Sequence, residues 1–251
     1  METIPSVSKP NSAPPTSSNL LEYLDGLLRN REDYFARIFE GQEIGKNLFY
    51  LFLIVIGLSV LYGFMMGASK GLSPQLFASA IKVPILYLLT LLVCYPVLYV
   101  VIVIMGSKLT FLQTFALIML AIALNSILLA SCAPIVLFFT LTGADYDFLK
   151  LLHVTIFTFS GAWGMAGLWR GLQAMCEKSE LYPKQTIKIL RIWVLVFAFV
   201  GTQMAWSLRP FIGSPGLEFQ IFRTDQTGNF YQAVWRSVVS LSQEKSKSLG
   251  Y

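Results

Sequence analysis

Charge is what this chain lacks most. Only 13% of its 251 residues are Asp, Glu, Lys or Arg, about half the share of an ordinary soluble domain. It has one histidine and three cysteines. Cys94, Cys132 and Cys176 stand apart in sequence, with no CxxC or Cys/His pattern, which argues against a metal centre or a disulfide framework. No serine-protease elbow, zinc-protease helix, P-loop or dinucleotide fingerprint is present. Ser160 and Ser214 have no His or Lys base nearby in sequence. The reading is therefore of a chain that is not an enzyme and carries no cofactor. No Lys/Arg run of the nucleic-acid type occurs, and the net charge of +5 suits residues flanking membrane spans better than a nucleic-acid site.

What the chain has instead is apolar length. Its residues are 55% hydrophobic, and the mean hydropathy is +0.62. Several stretches run for about 20 residues almost without charge, the length needed to cross a hydrocarbon core of about 30 Å. The expected fold class is all-α: a polytopic transmembrane helix bundle of about five spans with an N-terminal amphipathic helix.

Residues 1–18 are rich in Pro, Ser and Thr, lack the apolar core of a secretory signal, and read as a disordered tail. Residues 19–45 form the amphipathic segment, with Leu20, Leu24, Leu27, Leu28, Phe35, Ile38 and Phe39 at helical spacing. Asn19 and Glu22 resemble a capping box. This helix is expected to lie on the cytoplasmic face or to pack beneath the bundle, with docking of a partner protein as the sharper reading.

The bundle occupies 46–208. The first span is Asn47 to Ala68, with Gly63 and Gly67 spaced to admit a neighbouring helix. Ser73 and Pro74 start a short interfacial helix ending at Lys82. The second span, Val83 to Met105, carries Pro84 in its first turn and Pro96 as a kink. The third run, Phe111 to Thr142, is too long for one upright span, so it is tilted or broken near Pro134. The fourth, Phe148 to Leu168, shows a small-residue face of Gly161, Gly164, Gly167 and, just beyond it, Gly171. The fifth is Ile189 to Leu208. Residues 209–243 are an interfacial loop and an aromatic segment; 244–251 are a frayed tail.

Ionisable groups inside a bilayer are costly and mark function, yet none falls in the centre of a span. Asn125 is the clearest central polar residue: an interhelical hydrogen-bonding group, or a group lining a solute path. Gln203 is its expected partner. His153, near one end of the fourth span, reads as a headgroup-level hydrogen-bonding group or a pH sensor. Arg209 and Pro210, followed by Gly213 and Pro215, mark a helix stop. In functional terms this segment is a rigid loop folded back on the outer mouth, with Arg209 on lipid phosphate or an acidic partner and Glu218, Arg223 and Asp225 completing a polar cluster.

Basic residues beside the spans favour a cytoplasmic N-terminus, with Lys70, Lys82, Lys150, Arg209 and Arg223 outside. The expected partners are the lipid bilayer and a membrane-protein partner or a second copy of the chain. The expected role is a membrane scaffold, assembly or lipid-organising factor, with a channel or transporter for a small solute as the alternative.

Trp193 to Phe222 contains Gln203-Met-Ala-Trp-Ser-Leu-Arg-Pro-Phe-Ile-Gly-Ser-Pro-Gly216. With Lys82-Val-Pro and Leu129-Ala-Ser-Cys-Ala-Pro-Ile135, this stretch resembles a family of uncharacterised bacterial, often cyanobacterial, polytopic membrane proteins. Some members are labelled as containing an actin-binding WASP-homology domain. The resemblance covers Asn47 to Trp235. It implies several spans in a bacterial plasma membrane, or a thylakoid membrane for a cyanobacterial chain, and brings no catalytic residues. The arrangement of spans after a cytoplasmic N-terminus also resembles the Yip-type proteins of vesicle traffic, in architecture alone.

Overall fold

The computed structural model describes residues 19–68, 73–104, 106–178, 184–212 and 228–248. Among them the chain is helical, with connecting turns. In order, the helices are α1 (Leu20–Arg29), α2 (Arg31–Phe39), α3 (Ile44–Gly67), α4 (Pro74–Ile104), α5 (Phe111–Ser131), α6 (Ala133–Leu141), α7 (Tyr146–Lys178), α8 (Lys184–Ser207) and α9 (Phe230–Ser248).

Four segments are long and apolar enough to cross a membrane: α3, α4, α5 with α6, and the Tyr146–Arg170 part of α7. The chain is a multi-pass membrane protein with an all-α bundle. The fifth expected span falls on α8, which is not among these four. This helix starts beside the finish of α7, where Arg191 lies over the Trp169 ring at 4.1 Å. It finishes beside the start of α4, so it traverses the bundle. The end holding α1, α2 and the start of α3 is termed the near end; the opposite end, where α8 stops, is the far end.

The amphipathic segment is two helices rather than the expected one. Asn30 leaves helical geometry, at φ −124° and ψ 46°, and the chain folds back on itself. Gly26 makes the return possible: a Cβ there would sit 2.5 Å from the Tyr34 hydroxyl. Asn19 makes no side-chain cap, so the expected capping box does not form. Tyr23, Leu27, Tyr34, Phe35, Ile38 and Phe39 are buried. The hairpin packs beneath the bundle, α1 on α3 and α2 on α5 and α7. Tyr23 stacks on Tyr50 at 4.9 Å and donates to Asn47 Oδ1 at 3.0 Å.

The interfacial helix and second span are likewise one continuous helix, α4, with Pro84 and Pro96 inside it. Pro84 therefore does not open a helix. A missing N–H within a span is tolerated where neighbouring helices supply compensating contacts. Trp193 of α8 also donates its indole N–H to the Cys94 carbonyl at 3.0 Å, tying α8 to α4 two residues before Pro96.

Gly63 and Gly67 do the work their spacing implies. A Cβ on Gly63 would fall 2.6 Å from the Ser79 carbonyl oxygen, and one on Gly67 would fall 2.6 Å from the Leu76 Cα. α3 and α4 thus meet backbone to backbone. The expected glycine face of α7 is used in part: Gly164 lies against Ala121 and Asn125 of α5 and Gly167 against Leu124, whereas Gly161 faces open space.

At the centre stands α5. Every residue from Ala116 to Ala123 is buried, enclosed chiefly by α3 and α7. Its start is fixed by a capping box of Thr110 and Gln113, and Gln113 Nε2 also donates to the Phe39 carbonyl of α2 at 2.8 Å. The long third run is broken, as expected near Pro134: α5 ends at Ser131, and α6 restarts with Pro134 in its first turn.

Candidate functional site

Three polar clusters lie within this apolar frame. The first is at the far end. Gln75, Ser79 and Lys82 share one face of α4, four and then three residues apart, and all three are buried, Lys82 at 4% exposure. They converge on two successive carbonyls of the segment that follows α8. Lys82 Nζ donates to the Pro210 oxygen at 2.9 Å. Gln75 Nε2 donates to the Pro210 and Phe211 oxygens at 3.0 and 2.9 Å, and the Ser79 hydroxyl also donates to the Phe211 oxygen.

Residues 208–212 thereby form a strap tied down across the start of α4, with Leu208, Pro210 and Ile212 buried. The Arg209–Pro210 peptide bond is cis. The Arg209 guanidinium stacks on the Trp206 ring with its Cζ 3.0 Å from the ring centre, and its Nε donates to the Trp206 carbonyl. Arg209 and Pro210 thus belong to a segment folded back on α4, with Arg209 held against Trp206. Gly213, Pro215, Glu218, Arg223 and Asp225 lie outside the described residues.

The second constellation lies in the interior, between α3, α5 and α7. His153 is 3% exposed. Its Nδ1 pairs with the Tyr62 hydroxyl at 2.8 Å, and its ring meets that of Tyr62 edge-on. It is therefore a buried interhelical link between α3 and α7. Phe157, one turn on, packs against both Tyr62 and Tyr87. Just below, Ser59 and Ser126 approach to 3.4 Å.

Asn125 adjoins this cluster, with its Cβ against Gly164. Its amide lies beside the Tyr87 hydroxyl, yet Asn125 Oδ1 and Tyr87 Oη are both buried outside hydrogen-bonding geometry. The expected Asn125–Gln203 pair is not formed. Gln203 rides on α8, which packs on α4, α7 and α9, while Asn125 is on α5.

A third cluster went unread in the sequence. Lys150 Nζ lies 2.9 Å from Asp147 Oδ1 and 2.8 Å from Ser237 Oγ, and Ser237 donates to the same carboxylate oxygen at 2.8 Å. This triangle ties α9 to the start of α7. The Asp147–Lys150 spacing was visible, but nothing in sequence linked it to a serine 90 residues on. The Gln75–Ser79–Lys82 spacing was equally visible, but its partners are backbone carbonyls, which leave no mark in sequence.

Among the described residues no His, Cys, Asp and Glu side chains group to hold a metal ion. At the near end, burial, with Tyr34 beside it, pushes the Tyr23 hydroxyl well above its usual range against the pull of Arg37. No family model, curated protein or solved structure matches this chain.

Proposed function

We propose that this protein is a non-enzymatic membrane scaffold or assembly factor, which holds other membrane components in place rather than passing solutes through itself. The observation that carries the reading is the enclosure of α5. From Ala116 to Ala123 it is buried on all sides by apolar neighbours, filling the axis that a path through one chain would follow. Interior packing of this kind resists deformation, which suits a body that presents surfaces. One such surface is α1, whose inner face is held by Tyr23 and Leu27 while Leu21 and Leu28 are exposed.

The near end is read as cytoplasmic. It gathers Arg29, Arg31, Arg37, Lys46, Lys108, Arg170 and Arg191, against Lys82, Lys150, Arg209 and Arg236 at the far end, in keeping with the positive-inside bias. A bacterial plasma membrane is the proposed setting.

The test is capture of the intact chain from native membranes in polymer-bounded discs, beside a Leu21→Glu/Leu28→Glu variant. The scaffold reading expects a stoichiometric membrane-protein partner that the variant loses. Recovery of the chain alone from both, as a defined oligomer, contradicts it.

A second reading, a channel or transporter, has one observation in its favour: the buried, unsatisfied Tyr87 hydroxyl and Asn125 amide oxygen in the bundle interior. It expects Asn125→Leu to abolish flux in liposomes with expression intact. The scaffold reading expects that variant to be mild.

A further inference from the structure

α4 and α5 touch over only part of their length. Near their shared loop Tyr95 packs edge-on against Phe111 and Phe115 at 4.9 and 5.1 Å, and its hydroxyl donates to the Phe111 carbonyl. Beyond Tyr95, towards the far end, α4 turns its contacts to α3 and α8. A groove of about 410 Å³ is left, lined by Ile85, Leu88, Leu89, Leu91, Leu92 and Phe115. Pro84 and Pro96 bracket its α4 wall.

We infer that this groove seats one acyl chain of a bilayer lipid from the far-end leaflet. The lining side chains are all hydrocarbon, so water finds no polar partners there. The rim continues into the outward face of α4, where Leu92, Val93, Val97 and Val100 are exposed; that face meets lipid tails in any bilayer-spanning arrangement.

The length also fits: from Lys82, which anchors the strap, to Leu92 is ten residues of α4, about 15 Å at 1.5 Å per residue, the length of one leaflet's half of a hydrocarbon core of about 30 Å. A helix from a second copy is the less suitable occupant. Close helix packing in membranes uses small residues, and the groove offers only Leu, Ile and Phe, while Gly63 and Gly67 are already spent on the α3–α4 contact. This inference requires only that the helices lie in a bilayer and is independent of the scaffold reading.

The experiment places the full chain in lipid nanodiscs containing phosphatidylcholine with a photoactivatable diazirine at mid-chain, and locates the adducts by mass spectrometry. Adducts are expected to concentrate on 85–92 and Phe115, above those on Ile192, Leu195 and Phe199 of α8, although those three are more exposed than most of the groove lining. Leu89→Trp fills the groove and should cut its labelling by about ten-fold, with α8 labelling unchanged; Leu89→Ile should label as the parent does and shows that substitution here leaves the fold intact. Equal labelling of the two faces overturns the site, as does undiminished labelling in Leu89→Trp. Disulfide formation between copies carrying Ile85→Cys in native membranes overturns it too, by placing a second chain in the groove.

Discussion

The Trp193 indole on α8 donates to the carbonyl of Cys94 on α4 at 3.0 Å, and Trp193 is itself buried. The bond falls beside Pro96, whose missing N–H loosens the local carbonyl ladder. It therefore fixes the seating of α8 against the proline-bearing part of α4. Trp193→Phe keeps most of the ring contact with Phe197 and removes the donor. It should cost about 0.6–1.7 kcal/mol, the range for hydrogen bonds between membrane helices, read as a lower thermal midpoint in detergent. Trp193→Leu should cost more.

Gly63 and Gly67 have no room for a side chain. Gly63→Ala forces the α3–α4 backbones apart and should destabilise by about 1–3 kcal/mol. Gly57, on the same helix, faces open space, so Gly57→Ala should be neutral or stabilising by up to about 1 kcal/mol. Thermal unfolding of the two variants side by side checks the contrast.

The strap depends on α4 for its anchorage. Lys82→Met removes a charge-assisted bond worth about 1.5–3 kcal/mol. In an otherwise cysteine-free chain bearing Ile212→Cys, this change should speed thiol labelling at position 212 by about ten-fold or more. Ser79→Ala should have a smaller effect in the same direction. No change with either would mean the strap is held by something other than this face of α4.

The near end should respond to alkali. The Tyr23 hydroxyl titrates above its ordinary value because it is buried beside Tyr34. A pKa raised in the folded state contributes stability that is fully present below the unfolded value of about 10 and is lost as pH rises through the folded value. Docking of α1 should thus hold up to about pH 10 and weaken above it. The difference in absorbance at 295 nm between the parent and Tyr23→Phe, followed through a titration, reports the ionisation directly. A Tyr23 titrating at or below the ordinary tyrosine value would contradict the buried placement.

The α9 triangle makes a similar prediction. Ser237→Ala leaves Lys150 paired with Asp147 but removes both links to α9, at a cost of about 1.5–3 kcal/mol for bonds to charged groups. It should raise protease cleavage after Arg236 while leaving the midpoint for the rest of the bundle little changed.

The spans were legible because apolar contiguity is a one-dimensional signal, and the α3–α4 contact because Gly63 and Gly67 recur at helical spacing. The break before Pro134 was legible for the same kind of reason. What failed to show was anything decided by neighbours. The periodicity of Leu20 to Phe39 runs on through Asn30, and only the Gly26–Tyr34 contact reveals a hairpin. Pro84 looked like a helix start because a soluble helix would break there, whereas tertiary contacts in the bundle carry α4 past it. Asn125 and Gln203 were paired on polarity alone; the order of helices around α4 keeps them apart, and Tyr87 takes the position next to Asn125. His153 gave no hint of Tyr62, which lies 91 residues away.

The most direct test of a bilayer-spanning bundle with opposed ends is side-specific labelling of single cysteines in sealed native vesicles, with the native cysteines replaced. Leu21→Cys reports the near end and Gly143→Cys, in the α6–α7 turn, the far end. A membrane-impermeant maleimide should label position 143 from one side only and position 21 only from the other. Labelling of both positions from the same side would contradict the crossing pattern, and with it the scaffold account built on it.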